Sequence, residues 1–134
     1  DLNLDPRKVG GYKKFANKLW NITRFVLSQE PQGDIIPALR DEFDAMARDV
    51  TKDLQEFRIY MAAEKLYHYV WDRFAAQILE ESKGKPEYSA TLYYILENSL
   101  KLLHPFMPFV TEEIWSDMPN RKDLLMVEQW PVRT

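Results

Sequence analysis

Two rows of side chains between residues 13 and 25 carry the groups best suited to a charged partner. Lys13, Asn17, Trp20 and Arg24 step by four, three and four, and Lys14, Lys18, Asn21 and Phe25 repeat the pattern one residue on. Each row mixes cations, a side-chain amide and an aromatic ring. Cations hold phosphates, amides hydrogen-bond base edges, and rings stack on unpaired bases, so the set matches the demands of single-stranded and looped RNA. A plainer reading stays open: Trp20 and Phe25 widen a buried face, Asn17 or Asn21 caps a neighbouring turn, and the lysines form a solvated surface.

Groups for covalent or acid–base chemistry are sparse. His68 lies between Tyr67 and Tyr69, and His104 falls at a helix C-terminus, where the dipole favours an imidazolium; both read as surface or capping residues. Glu80-Glu81 and Glu112-Glu113 are adjacent pairs, and neighbours on a helix do not face each other. A di-iron bundle needs Glu-x-x-His on two helices. Here Glu64 precedes His68 by four, and Lys101 stands three before His104. Ser28, Ser82, Ser89, Ser99 and Ser116 have no base at a telling spacing, and none of the four glycines belongs to a phosphate-cradling pattern. No residue is therefore assigned a catalytic, metal-binding or cofactor-binding role.

The 134 residues suit one domain with a core of its own. The absence of cysteine removes disulfides and thiolate chemistry and fits a cytoplasmic setting. No apolar run approaches the ~20 residues needed to span a membrane. The opening Asp1-Leu2-Asn3-Leu4-Asp5 reads as the interior of a longer chain. The net charge of −3 argues against a generic nucleic-acid binder but conceals a split. Residues 1–27 carry six cations against Asp1 and Asp5, a balance of +4, which leaves −7 on the other 107 residues. That is a local basic footprint on an acidic body.

The rows sit on elements whose hydrophobic period is helical almost throughout. Val9, Tyr12, Ala16, Leu19, Ile22 and Val26 predict a helix over about 6–28, ended by Glu30-Pro31-Gln32-Gly33-Asp34. Leu39, Phe43, Met46, Val50, Leu54 and Phe57 predict a second helix after Pro37, with a near-heptad seam. Ala62, Leu66, Val70, Phe74 and Ile78 face inward on a third, from about Ile59 to Lys83, which Gly84-Lys85-Pro86 stops. A fourth, from about Glu87 to Leu103, buries Tyr88, Leu92, Ile95, Leu96, Ser99 and Leu103. The two prolines of His104-Pro105-Phe106-Met107-Pro108-Phe109 break the helix and restart it, three large apolar groups fixing the corner. A short fifth helix then runs through Trp115, which with Trp71 reads as core. The tail around Leu124-Leu125-Met126-Val127 is expected extended along the bundle or irregular. The expected fold is all-α: an up-down antiparallel bundle of four long helices, a short fifth helix and an extended C-terminal tail, as one domain over 1–134.

Three segments, in order and spanning most of the chain, resemble a known family. Residues 11–26, with Asn17-Lys18-Leu19-Trp20-Asn21 at their centre, look like the helix that opens the anticodon-binding domain of valyl-tRNA synthetases. Residues 102–115, around His104-Pro105-Phe106-Met107-Pro108-Phe109, are similar to a second signature, shared more weakly by the isoleucyl and leucyl enzymes. Ala62-Ala63 through Leu66-Tyr67 to Val70-Trp71 and Phe74 resembles the middle helix. The resemblance implies an RNA-binding module of a class I aminoacyl-tRNA synthetase. The parent would join valine to its tRNA with ATP and Mg²⁺ in an upstream domain, while this part grips the anticodon stem-loop. A monomer is expected on separate grounds, since the sequence shows no large apolar surface beyond the bundle seams. Where family members often show Asp-Arg-aromatic, this chain has Asp41-Glu42-Phe43, so Glu42 would repel phosphate and Arg40 would substitute. After Phe74 the family's Asp-Trp-Tyr-like run is replaced by Ala75-Ala76-Gln77-Ile78. The expected RNA-binding residues are Lys14, Lys18, Asn21, Arg24, Arg40 and Phe43, with Phe43 either stacking on a base or packing in the core. The alternatives are an isoleucyl or leucyl enzyme, or a helical protein-interaction scaffold without RNA affinity.

Overall fold

A computed structural model describes residues 6–119 and 123–132, and every regular element among them is helical. Helix α1 is Pro6–Leu27 and α2 is Pro37–Gln55. A continuous helix α3 covers 59–82, with α-helical ends at Ile59–His68 and Leu79–Ser82 and a π-helical centre at Tyr69–Ile78. A 3₁₀ turn at Pro86–Tyr88 leads into α4, Ser89–Leu103, followed by α5, Pro108–Asp117, and a 3₁₀ turn at Leu125–Val127.

The π-helical centre has a cause in the spacing of the core residues. Ala62, Leu66, Val70, Phe74 and Ile78 are four apart, and all are buried. In an α-helix of 3.6 residues per turn, each such step turns the position by about 40°, so five would sweep across nearly half the circumference. Hydrogen bonds closing i→i+5 widen the turn and hold them on one face.

Phe57 departs from the expected seam. Helix α2 ends at Gln55; the Phe57 N–H donates to the Leu54 carbonyl (3.1 Å) and the Arg58 N–H to that of Asp53 (2.7 Å). This is a Schellman closure, with Phe57 at φ +62° in the left-handed position that glycine commonly fills. Its ring is 87% exposed rather than packed.

Helices α2 and α3 form an antiparallel hairpin: Glu42 meets Arg73 near one end, and Asp53 meets Lys65 near the other. Helix α1 packs against α4, α5 and the π-helical stretch, whereas α2 packs against α3 and α4. The α1–α2 connection crosses the start of α4. There the Gln32 N–H donates to Ser89 Oγ (2.7 Å) and the Ile36 N–H to Thr91 Oγ1 (2.9 Å). Gly33, at φ +78°, passes so close that a Cβ would lie 2.8 Å from the Glu87 carbonyl oxygen.

One hydrophobic cluster takes residues from every long helix, including Leu19, Ile22 and Val26 of α1 and Leu92, Ile95, Leu96 and Leu103 of α4. Phe15, absent from the predicted stripe, is buried with them, while the Val9 side chain lies outside what is described. At the proline corner Met107 is buried and Phe106 partly so, but Phe109 is 83% exposed and contributes nothing to the bend. His104 Nδ1 lies 3.0 Å from Thr111 Oγ1, a contact that ties α4 to α5. The tail is irregular: Leu125 is buried, its N–H donates to Glu112 Oε1 (2.8 Å), and Trp130 Nε1 donates to Thr51 Oγ1 (2.9 Å).

Candidate nucleic-acid interface

The two rows on α1 flank its buried stripe. Lys13, Lys14, Asn17, Asn21 and Arg24 are exposed, Lys18 is half-buried, and Trp20 and Phe25 lie partly buried against the core. The plainer reading therefore holds for the two rings: they widen the buried face. Lys14, Lys18 and Asn21 stay together on one side of α1, the side that meets α3, because Lys18 Nζ sits 5.6 Å over the ring of Trp71. Asn21 Oδ1 accepts from Arg24 Nη1 in a long, exposed hydrogen bond of 3.4 Å. Among the described residues Lys13, Lys14, Lys18 and Arg24 form no ion pair.

Arg40 and Phe43 stand elsewhere. Arg40 opens α2 and bonds to the neighbouring Asp41 carboxylate at 3.3 Å, an exposed contact a phosphate could replace. Phe43 is fully buried, and its ring makes edge contacts with Tyr69 (5.5 Å) and Tyr94 (5.9 Å). Of the two roles open to it from the sequence, Phe43 takes packing. The apolar seam of α2 turns it into the core, so its assignment as a base-stacking residue is corrected.

Glu42, expected to repel phosphate, is neutralised across the hairpin. Arg73 Nε lies 2.9 Å from Oε2 and Nη2 lies 2.9 Å from Oε1, a bidentate pair, while Nη1 reaches Gln77 Oε1 at 2.9 Å. The hydrogen-bonded Glu42 carboxylate raises the Arg73 pKa above its ordinary value. Tyr69 behind this pair is pushed up too, chiefly by burial, and its hydroxyl has no partner among the described residues. Tyr94 donates to Asp44 Oδ1 at 2.5 Å, and burial followed by that bond pushes its phenol up to about 12. These groups stiffen the α2–α3–α4 side and offer no cation to a ligand.

The structure brings to the edge of this row two rings that the sequence did not place there, Tyr67 and Trp71. Trp71 was expected in the core but is only partly buried, and Tyr67 is 39% exposed. With Phe15 their rings make one aromatic surface beside Lys18. The available signal was their i, i+4 spacing, which places two rings side by side on a helix. Its meaning depends on which helix lies opposite. Among the described residues no three potential ligand side chains gather to hold a metal ion.

The arrangement is a helical scaffold with an unpaired basic and amide row along one helix and aromatic rings at its edge. A family model described as the anticodon-binding domain of tRNA ligase matches residues 38–134. Over 98% of its length the chain is similar to valine–tRNA ligases. It shares 35% identity over 146 residues with that of Thermotoga maritima and 37% over 155 residues with that of Agrobacterium fabrum, covering 17% and 16% of those proteins. With the Carboxydothermus hydrogenoformans enzyme it is 37% identical over 150 residues, 17% of that protein. The chain belongs to the family of anticodon-binding domains of tRNA ligases. It spans about one-sixth of the length of the curated relatives it matches. Arg40 and Phe43 fall inside the family match, whereas Lys14, Lys18, Asn21 and Arg24 precede it and are covered by the relatives.

Proposed function

We propose that this chain is the anticodon-binding domain of a valine–tRNA ligase and grips the anticodon stem-loop of a tRNA. It does so as a single domain over 1–134, an up-down bundle of four long helices closed by α5 and the tail. The observation that carries the reading is the row Lys14, Lys18, Asn21 and Arg24 on α1, whose cations have no carboxylate partner among the described residues. Unpaired lysines on an otherwise acidic body create a local positive field, which attracts the phosphate backbone. Lys14, Lys18 and Arg24 hold phosphates, Asn21 reads a base edge, and Arg40 adds a further phosphate contact from α2. The valine–tRNA ligase relatives favour valine over isoleucine or leucine as the parent's amino acid. The parent attaches valine to tRNA in cytoplasmic translation, with ATP and Mg²⁺ acting in its nucleotide-binding domain, outside these residues. The domain serves as a monomer and positions the tRNA against that catalytic domain.

The test is a salt titration of binding to a valine tRNA transcript, with an anticodon-changed transcript alongside. A preference for the natural anticodon that persists near 150 mM salt supports base readout. Equal, steeply salt-dependent binding reduces the role to phosphate contact. Failure to bind either transcript at low salt overturns the reading in favour of a protein-interaction scaffold.

A further inference from the structure

Three rings from two helices meet where α1 packs against α3. Phe15 of α1, 4% exposed, lies beneath. Its centroid is 5.1 Å from that of Tyr67, with the planes tilted by 35°, and 6.2 Å from that of Trp71, with 19° between planes. Tyr67 and Trp71 lie 5.6 Å apart at 24°. Trp71 is thus stacked with both other rings while Phe15 and Tyr67 are tilted to each other, and Tyr67 is 39% exposed. Lys18 Nζ stands over Trp71 at 5.6 Å, and the exposed Lys14 lies one turn earlier on the same helix.

The charge around this surface is mixed, with lysines along one border and the His68–Asp72 pair along the other, where the His68 ring meets Tyr67 edge-on at 5.4 Å. The lysines come from α1. Of the nearest carboxylates on α3, Glu64 lines a hollow on the α2 side with Met46, Asp49, Met61, Lys65 and His68, and Asp72 is held by His68 Nδ1 at 3.0 Å. The other described pairings of lysine with a ring lack this arrangement. Lys85 lies over Tyr88, but that phenol donates to Glu81, so a phosphate there meets a carboxylate. Lys101 lies over Trp115, which is 3% exposed. Phe43, the ring open from the sequence to either stacking or packing, is inside the core.

We propose that the outer face of Tyr67, continued by Trp71, is the stacking platform for unpaired bases of the anticodon loop, with Lys14 and Lys18 holding the flanking phosphates. The proposal rests on the anticodon-binding reading above and assigns its stacking contact. A phosphate draws the Lys18 ammonium off the indole, and the uncovered ring takes a second base. Base–aromatic stacking tolerates any base, so the platform supplies affinity while amides such as Asn21 supply selection.

The experiment uses the valine tRNA anticodon stem-loop as an RNA hairpin, with 5-iodouridine in the loop, irradiated on the unaltered chain. The cross-linked residue is located by mass spectrometry. The expected result is a cross-link to Tyr67 or Trp71. Tyr67→Leu should then bind the hairpin roughly 5- to 150-fold more weakly, while Tyr67→Phe stays within about twofold. Cross-links only at other residues overturn the platform, as does a folded Tyr67→Leu that binds as tightly as the unaltered chain. Either result leaves the anticodon-binding reading standing as long as the hairpin is bound. Should Tyr67→Leu fail to fold, the cross-link on the unaltered chain decides. No binding of the hairpin by the unaltered chain at low salt removes both the platform and the reading it rests on.

Discussion

The α1 side and the α2–α3 side of the molecule both carry arginines and lysines, but in different states: among the described residues four of the six hairpin cations are ion-paired, only Arg48 and Lys52 being left over, whereas Lys13, Lys14, Lys18 and Arg24 of α1 form no ion pair. On the α2–α3 hairpin, Arg58 bonds to Asp53 (2.8 Å) and Glu56 (2.9 Å), Lys65 to Asp53 (2.7 Å), and Arg73 to Glu42 (2.9 Å). On α1, among the described residues, Lys13, Lys14 and Lys18 meet no carboxylate, and Arg24 meets only an amide. A cation already paired within the chain adds little to the outer field and fixes the fold. An unpaired one adds its full charge to the surface and little to the fold. An unpaired cation is therefore the better candidate for a phosphate contact, and among the described residues of these two sides the unpaired ones are the α1 row together with Arg48 and Lys52 of α2.

The change expected to disturb this contrast most is Phe43→Ala. It empties a fully buried site between Tyr69 and Tyr94 and should cost about 3–5 kcal/mol, lowering the melting midpoint by roughly 10 °C or more. A urea melt checks it, and an unchanged midpoint would put the ring outside the core.

Next comes the acid side of the stability curve. Hydrogen bonds from Lys65 first, and from Arg58, outweigh desolvation and hold the buried Asp53 carboxyl below its ordinary value of 3.8. Glu56 is lowered as well, chiefly by its hydrogen bond with Arg58. A depressed folded-state pKa contributes stability that is complete above the unfolded value and lost as pH falls through the folded one. Melting midpoints should therefore decline from about pH 5 downward, and Asp53→Asn should be less stable at pH 7 with a shallower acid decline. An equally steep decline in Asp53→Asn would assign the acid sensitivity to other carboxylates.

A smaller effect of opposite sign is expected at the corner of the same hairpin. Phe57 is left-handed and exposed, so Phe57→Gly relieves the conformational cost and gives up little burial. A left-handed L-residue costs roughly 1–2 kcal/mol, and glycine's extra freedom in the unfolded chain returns part of that, leaving a gain of about 0.5–1 kcal/mol. Denaturant midpoints of the two proteins measure it.

These positions also mark how far the sequence alone could be read. Helix existence, order and most inward positions were legible, since Leu19, Ile22 and Val26, or Ala62 through Ile78, repeat a period that only burial explains. The regular step of four on α3 already carried the π-helical signal, but a helical period tolerates that step locally, and its drift shows only over several turns. The end of α2 was missed because the usual glycine of a Schellman closure is replaced by Phe57, an apolar residue that prolongs the apparent seam. At the candidate site the residue types were legible and their neighbours were not. Phe43, open to either role, is fully buried, and Trp71, expected in the core, is only partly so, because burial depends on which helix packs opposite. Helix α1 lies on α4 and the π-helical stretch while α2 lies on α3 and α4, a long-range pairing that the residue types do not display.

The smallest effect on stability should accompany the clearest effect on binding. Lys14→Ala and Lys18→Ala remove cations that no carboxylate holds, so each should change folding stability by less than about 0.5 kcal/mol. Each should also lower the salt slope of tRNA binding by about 1, evenly across tRNAs, because a phosphate contact carries no sequence information. The matched control is Glu42→Gln combined with Arg73→Gln, which deletes one charge of each sign from the hairpin and retains side chains of similar size. That double variant should leave the salt slope where it was and cost a few tenths of a kcal/mol to about 1 kcal/mol in stability, as partly exposed pairs do. If it lowers the slope as much as Lys18→Ala does, paired and unpaired cations contribute alike to RNA binding, and the contrast between the two sides of the molecule no longer locates the phosphate contacts.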